Sequence, residues 1–391
     1  MDNTCGEPDD LNKLNVIHVT GTKGKGSTSA FTSSILLLCK AKPDWKIGLY
    51  TSPHIAAVRE RVRVNGRLIS EEFAKFFFEV WDSLEAPKVC GYLVKFSLSL
   101  DNARLSRDTL QTLLRNPCTS VCYLVAFHAF YTLKVDATIL EVGIGGTYNS
   151  TIIVPKPVVT GITSLGLGHQ GVLGVPALPV NQPDDAMEVL RKRAEELKAS
   201  EFTIVPATGL SDIELGLAGA HQVLNACLAV AMAQKFLEVK ESLKPESTLS
   251  KAFVEGLEQV RWPGRCQIIQ DPKGRATWFL DGAHTIESLD CCIRWFVSPG
   301  VAIPLEASYV EPLPCIRMFN ITHGRSGPSL LRAMNAAKLD QLKLYGRDED
   351  PEMIFDEAIF CTNTTYIDGA SNHDLVSLRD ASFSNSSRAS S

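Results

Sequence analysis

From Asn15 onward, short apolar bursts bounded by glycine alternate with longer stretches whose apolar positions recur at helical spacing. That order builds a mostly parallel sheet covered by helices, an α/β fold. The bursts predict strands at about 15–19, 46–50, 137–142, 158–163 and 202–205. The longer stretches predict helices over about 27–39, 71–84, 121–133, 186–199 and 213–236. Phe31, Ile35 and Leu38 follow helical spacing in the first of these, whereas Val62 and Val64 alternate with Arg61 and Arg63 up to Asn65-Gly66, the pattern of a hairpin.

The pattern breaks near Arg261-Trp262-Pro263-Gly264 and restarts with strand-like CQII, a turn, TWFL and the helix-like SLDCCIRWF. A domain boundary is expected there, dividing 1–260 from a smaller α/β unit over 261–380, with 381–391, which ends in the low-complexity SFSNSSRASS, expected to be disordered. Residues 88–120 fit neither period.

Composition narrows the class. A chain of 391 residues, 45% hydrophobic and 21% charged, is globular and long enough for two domains. A formal net charge of −5 supplies no overall basic field, which argues against nucleic acid and anionic membranes as partners. Eleven cysteines lack paired metal-ligand spacing; Cys291-Cys292 and Cys118/Cys122 resemble neither a zinc nor a redox motif, so reduced thiols are expected. The opening MDNTCGEPDD is neither a secretory signal nor a transit peptide, and no apolar run reaches membrane-spanning length. A soluble, cytoplasmic protein is expected, with a mitochondrial form requiring another start site.

Residues 20–28 read TGTKGKGST, after a strand and at the start of a helix, the context a phosphate loop requires. Gly21, Gly24 and Gly26 let backbone N–H groups approach phosphates, the helix N-terminus adds partial positive charge, and Lys25 reaches the outer phosphates. Ser27 or Thr28 is placed to touch magnesium or cap the helix. The spacing departs from the common G-x-x-x-x-G-K-[ST] because position 19 is valine; the alternative is a plain surface loop.

The run ATIL ends in Glu141, a carboxylate at the carboxyl end of a buried strand, where ligands of open α/β sheets gather and a magnesium ion finds oxygen. Ser52 and His54 follow another strand, with Arg59, Arg61 and Arg63 close behind as candidates for substrate carboxylates or as a solvated hairpin face. His169 follows PVVTGITS and is weak by itself. His221 and Asn225 are four apart on one helical face, suited to an adenine edge or to a core role. Arg265 follows WPG, and Asp281 and His284 sit in FLDGAHT after a strand, as a site or as an Asp-Gly turn.

Taken in order, VIHVTGTKGKGST, GLYTSPHIAAVRERVRVNGRLIS, KVDATILEVGIGGTYNST, KPVVTGITSLG, GLAGAHQVLNA, RWPGRCQ, WFLDGAHT and FNITHGR resemble the folylpolyglutamate synthases of the Mur ligase superfamily over about two-thirds of the chain. The resemblance implies an N-terminal P-loop-type ATPase domain over 1–260 and a Rossmann-like glutamate-ligase domain over 261–380. It implies a ligase that adds L-glutamate to the γ-carboxylate of tetrahydrofolate or its polyglutamates, consuming ATP with Mg2+ and a further K+, and acting as a monomer. By the resemblance, Gly24, Lys25, Gly26, Ser27 and Thr28 form the phosphate loop, with Lys25, Glu141 and His169 catalytic. Ser52, Glu141 and His169 ligate the metal, and Asn225, Arg265 and Asp281 contact ATP, with the two domains closing over the nucleotide. A dihydrofolate synthase or another Mur-type amide ligase shares these motifs.

Some positions depart from the pattern. The family has an Asp where Gly168 stands and commonly a Glu where Ala220 stands, and it carries a lysine, carbamylated in relatives, in a segment for which this chain has no lysine between Lys156 and Lys192. Loss of a magnesium ligand predicts slower transfer, and a nucleotide- or folate-binding protein without activity is the competing expectation.

Overall fold

Strand β1, Val16–Thr20, sits in the middle of the molecule's large sheet because all five of its residues are buried and it has a strand on either side. In this computed structural model the described residues are 8–40, 42–55, 57–85, 117–143, 154–164, 174–243, 248–302, 314–320, 326–346, 350 and 354–361. The chain divides into two compact units, Met1–Arg265 and Cys266–Ser391.

In the first unit the remaining strands are β2 (Ile47–Tyr50), β3 (Val62–Val64), β4 (Arg67–Leu68), β5 (Ala137–Glu141), β6 (Val159–Ile162), β7 (Pro176–Pro179) and β8 (Glu201–Phe202). Their order across the sheet is β4-β3-β2-β5-β1-β6-β7-β8. Every pair from β2 to β8 is parallel, and β3 and β4 add an antiparallel hairpin at one edge. The helices are α1 (Lys25–Leu38), α2 (Phe73–Glu85), α3 (Pro117–Thr132), α4 (Asp184–Glu196), α5 (Gln222–Glu241) and α6 (Lys251–Gln259).

Side chains alternate between the faces of a strand, and that alternation feeds two large cores among the described residues. Ile17, Val19, Ile47, Leu49 and Ile139 enter one with Phe31 and Ile35 of α1, Phe236 of α5 and Leu257 of α6. Val16, Tyr50 and Leu140 enter the other with Tyr123 and Phe130 of α3, Phe76 of α2 and Leu11 and Leu14 of a 3₁₀ turn, Pro8–Leu14. A parallel sheet covered on both faces needs apolar residues on both, which is why its strands read as near-continuous apolar runs.

The second unit contains an antiparallel pair, β9 (Gln267–Gln270) with β10 (Thr277–Leu280), then α7 (Ile286–Phe296). Strand β11 (Ile316–Asn320), α8 (Gly327–Leu344) and β12 (Glu357–Cys361) follow, with β11 and β12 parallel. It is thus a smaller α/β unit.

Several expectations shift. The helix expected over 213–236 begins only at Gln222 and runs to Glu241. Gly219 adopts φ +105°, and a side chain at Gly216 would collide with the backbone carbonyl of Val260, so the 213–221 stretch is spent on turns packed beside α6. The strand expected over 202–205 is Glu201–Phe202 with a separate bridge between Val180 and Val205. Strand β7 escaped the sequence reading because prolines bound it at both ends. Residues 117–120 belong to α3, while 88–116, Gly168, His169 and 381–391 lie outside the described residues. Among the described residues no helix is long and apolar enough to cross a membrane.

Candidate active site

The parallel strands β1, β2 and β5 end along one edge of the sheet, so the segments following them meet there. After β1, residues 21–24 turn into α1. Thr22 and Lys23 N–H both donate to the Ser164 carbonyl, at 2.9 and 3.2 Å, anchoring the loop to the segment after β6. Gly24 is the residue preceding α1 and has φ +87°, a conformation side chains other than glycine's rarely adopt. A methyl on it would also run into the Asn225 amide.

Asn225 lies in the first turn of α5, is buried, and donates to Gln222 Oε1 at 2.9 Å. Its Oδ1 accepts from the Thr28 hydroxyl at 3.4 Å. The residue expected at an adenine edge thus stands directly against the phosphate loop. Ser27 and Thr28 are buried at the start of α1.

Lys25 folds back over its own loop, its Nζ donating to the carbonyls of Gly21 at 2.9 Å and Thr22 at 3.3 Å. Burial lowers its pKa, with the Glu141 carboxylate opposing that shift and Arg265 adding to it. Glu141, the last residue of β5, pairs across the ladder with Val19 of β1 and is 4% exposed. Burial raises its pKa; Lys25, the Ser52 N–H, Arg265 and Arg61 act in the opposite direction. Lys25, Arg265 and Glu141 are therefore close enough to tune one another, although they come from three distant parts of the sequence.

The loop after β2 begins with Thr51 and Ser52, and the Ser52 N–H donates to Glu141 Oε2 at 2.9 Å. Glu60 organises the rest of this loop by accepting from Ile55 N–H at 2.9 Å and Ala57 N–H at 2.7 Å. The three arginines separate: Arg59 is exposed, Arg61 Nε donates to His54 Nδ1 at 3.0 Å, and Arg63 lies 4.8 Å over the Trp262 ring. Trp262 was legible only as part of a chain break, because its approach to Arg63 and to the phosphate loop is tertiary. Arg265 Nη1 donates to the Gly264 carbonyl at 2.8 Å.

The buried Glu141 carboxylate offers oxygen donors beside the Ser52 backbone, with Lys25 and Arg265 acting on its charge. Such hard donors fit a magnesium ion, and a buried carboxylate gains from a divalent counter-charge.

In the second unit, Asp281 follows β10 and uses both oxygens on backbone: Oδ2 accepts from Cys266 N–H at 2.7 Å and Oδ1 from Ala283 N–H at 2.8 Å. His284 Nδ1 lies 2.7 Å from the Gly282 carbonyl. These bonds belong to a turn that leads into the Thr285 cap of α7.

No protein-family model matches the chain. It is 40% identical to a folylpolyglutamate synthase of Candida albicans over 408 aligned positions, which cover 95% of this chain and 73% of that protein. It is 38% identical over 394 positions to a folylpolyglutamate synthase of Saccharomyces cerevisiae strain AWRI796, covering 94% of this chain and 65%, just under two thirds, of the yeast protein. Solved structures share the architecture at lower identity. An FPGS–AMPPCP–folate complex superposes with a TM-score of 0.58 at 20% identity, over 90% of each chain. Mycobacterium tuberculosis folylpolyglutamate synthase complexed with ADP superposes with a TM-score of 0.59 at 18% identity, over 90% of this chain and 88% of that one.

Proposed function

Because this chain belongs to the folylpolyglutamate synthase family, we propose that it joins L-glutamate to the γ-carboxylate of tetrahydrofolate or its polyglutamates, consuming one ATP per residue added. The observation that carries this reading is the buried Glu141 carboxylate, held by the Ser52 N–H beside Lys25 of the phosphate loop.

A carboxylate and an amine form a salt at neutral pH, so the acid must first be activated. Phosphoryl transfer asks for a cradle, cations and alignment rather than for a nucleophilic side chain. The backbone of Gly24, Lys25, Gly26, Ser27 and Thr28 would hold the phosphates at the start of α1. Lys25 would exchange its loop carbonyls for the outer phosphate oxygens. Glu141, the Ser52 hydroxyl and His169 would hold magnesium, with potassium as a further cation. Bound there, the metal would neutralise charge on the outer phosphates. The γ-carboxylate oxygen attacks the terminal phosphorus and ADP leaves. The glutamate amine then attacks the acyl phosphate, releasing phosphate and a proton and leaving the amide. Asn225, Arg265 and Asp281 are assigned to positioning ATP.

A second reading, a folate- or nucleotide-binding protein with impaired catalysis, is favoured by the absence of any lysine between Lys156 and Lys192. Incubation with Mg-ATP, tetrahydrofolate and glutamate, followed by mass spectrometry, separates the two, with dihydropteroate as the control acceptor. Added glutamyl units on tetrahydrofolate support ligation. Nucleotide binding without a product of either acceptor supports the second reading.

A further inference from the structure

Glu141 and Trp262 both approach the space above Gly26. A methyl group placed on Gly26 would stand 3.7 Å from Glu141 Oε2, 3.8 Å from Glu141 Oε1 and 3.7 Å from Trp262 Nε1. The indole nitrogen is a donor only, and among the described residues it meets no acceptor. Its ring is nevertheless well held. Trp262 packs against the core shared by α1, α5 and α6, and the Arg63 guanidinium lies 4.8 Å over its face. Arg63 itself is unusual, because its buried Nε has no hydrogen-bond partner. Burial also lowers its pKa, against the pull of Glu60. A fixed ring with an unused donor beside the loop and an orphaned guanidinium N–H behind it is an arrangement waiting for oxygen.

We propose that the Trp262 indole N–H donates to an oxygen of the terminal phosphoryl group of the bound nucleotide, and that Arg63, stacked on the ring, keeps it positioned to do so. This inference rests on the nucleotide reading of the loop given above. The terminal group is specified because the space is shared with Glu141, the residue assigned to the cation, and such cations bridge the outer phosphates. The inner phosphates would lie against the loop backbone instead.

The test compares ADP with AMPPCP by calorimetry in the presence of magnesium. Replacing Trp262→Phe keeps the aromatic face for Arg63 and removes only the N–H. It should weaken AMPPCP by about tenfold and leave ADP within about twofold. Arg63→Met should weaken AMPPCP in the same selective way, and the double variant should lose no more than Trp262→Phe alone. Equal loss of both nucleotides, or loss of neither, overturns the proposal. Should Trp262→Phe fail to fold, wild-type protein labelled with 15N-tryptophan replaces it. One of its five indole signals should shift with AMPPCP and not with ADP, and the absence of such a signal overturns the proposal. Wild-type protein that binds neither nucleotide overturns the phosphate-loop reading and this inference together, whereas wild-type binding with an unselective variant overturns the inference alone.

Discussion

The Ser52 N–H donates to Glu141 Oε2 at 2.9 Å, joining residues 89 positions apart in the chain. The bond follows from strand order: β2 and β5 are parallel neighbours, so the loop leaving one passes the end of the other. It fixes one carboxylate oxygen, Oε2, at the carboxyl end of β5.

Glu141→Gln retains an oxygen for that bond and removes the charge. It should slow glutamate addition by about a thousandfold, measured as product per enzyme at saturating Mg-ATP. Stability of the unliganded protein should move the other way. Burial holds this carboxyl above 4.5, so its ionised form is a burden at neutral pH that is relieved as pH falls through the raised value toward 4.5. The variant should therefore melt at or above the wild-type temperature at pH 7, and should lack that acid-side relief.

His18, in the middle of β1, imposes the opposite slope. Its pKa is lowered from 6.5 to about 4 by burial, so between those values the unfolded chain binds a proton that the folded one refuses. Stability should fall as pH drops from 6.5 to about 4 and then level off. At about 1.4 kcal/mol per pH unit the loss from this group is about 3 kcal/mol. Denaturant titrations at several pH values should show a shallower decline in His18→Leu.

Gly24→Ala should cost about 1–3 kcal/mol from backbone strain, and more from its collision with the Asn225 amide. Asn225→Ala removes the obstacle and not the strain. The two substitutions combined should therefore be less destabilising than the sum of the single changes, which a double-mutant cycle of chemical denaturation measures.

Asp281→Ala strips acceptors from the N–H groups of Cys266 and Ala283. A loss of about 1–3 kcal/mol is expected in the unfolding of the second unit. Asp281→Asn should recover part of it through the remaining amide oxygen. A nucleotide affinity that falls with Asp281→Ala and recovers in parallel with stability would mark the residue as structural support for the turn.

The parts of this molecule legible in sequence are those whose physics is local. A glycine run between an apolar burst and a helical stretch must be a turn into a helix, and it is. Glu141 closing the run ATIL must stand at a strand end, and it does. The start of α5 was misplaced because nothing local says that Gly216 must clear the Val260 carbonyl. Asn225 was legible as the face-mate of His221, but its packing against Gly24 depends on α5 lying beside α1. The separate fates of Arg61 and Arg63 follow from Arg61 closing a 3₁₀ turn, Val58–Arg61, while Arg63 lies in β3, a break that the alternating pattern does not reveal.

The placement of β1 also constrains how the molecule is made. Its ladder partners begin with Thr138 and Val159, well over a hundred residues downstream of Val16 and Ile17. On the ribosome, the glycine turn at Gly21–Gly24 emerges well before β5 and β6, and its strand has no neighbour on either side until those two follow. Nascent chains halted before Ala137 should therefore have no affinity for nucleotide, and competence should arise late and abruptly as those two strands enclose the first.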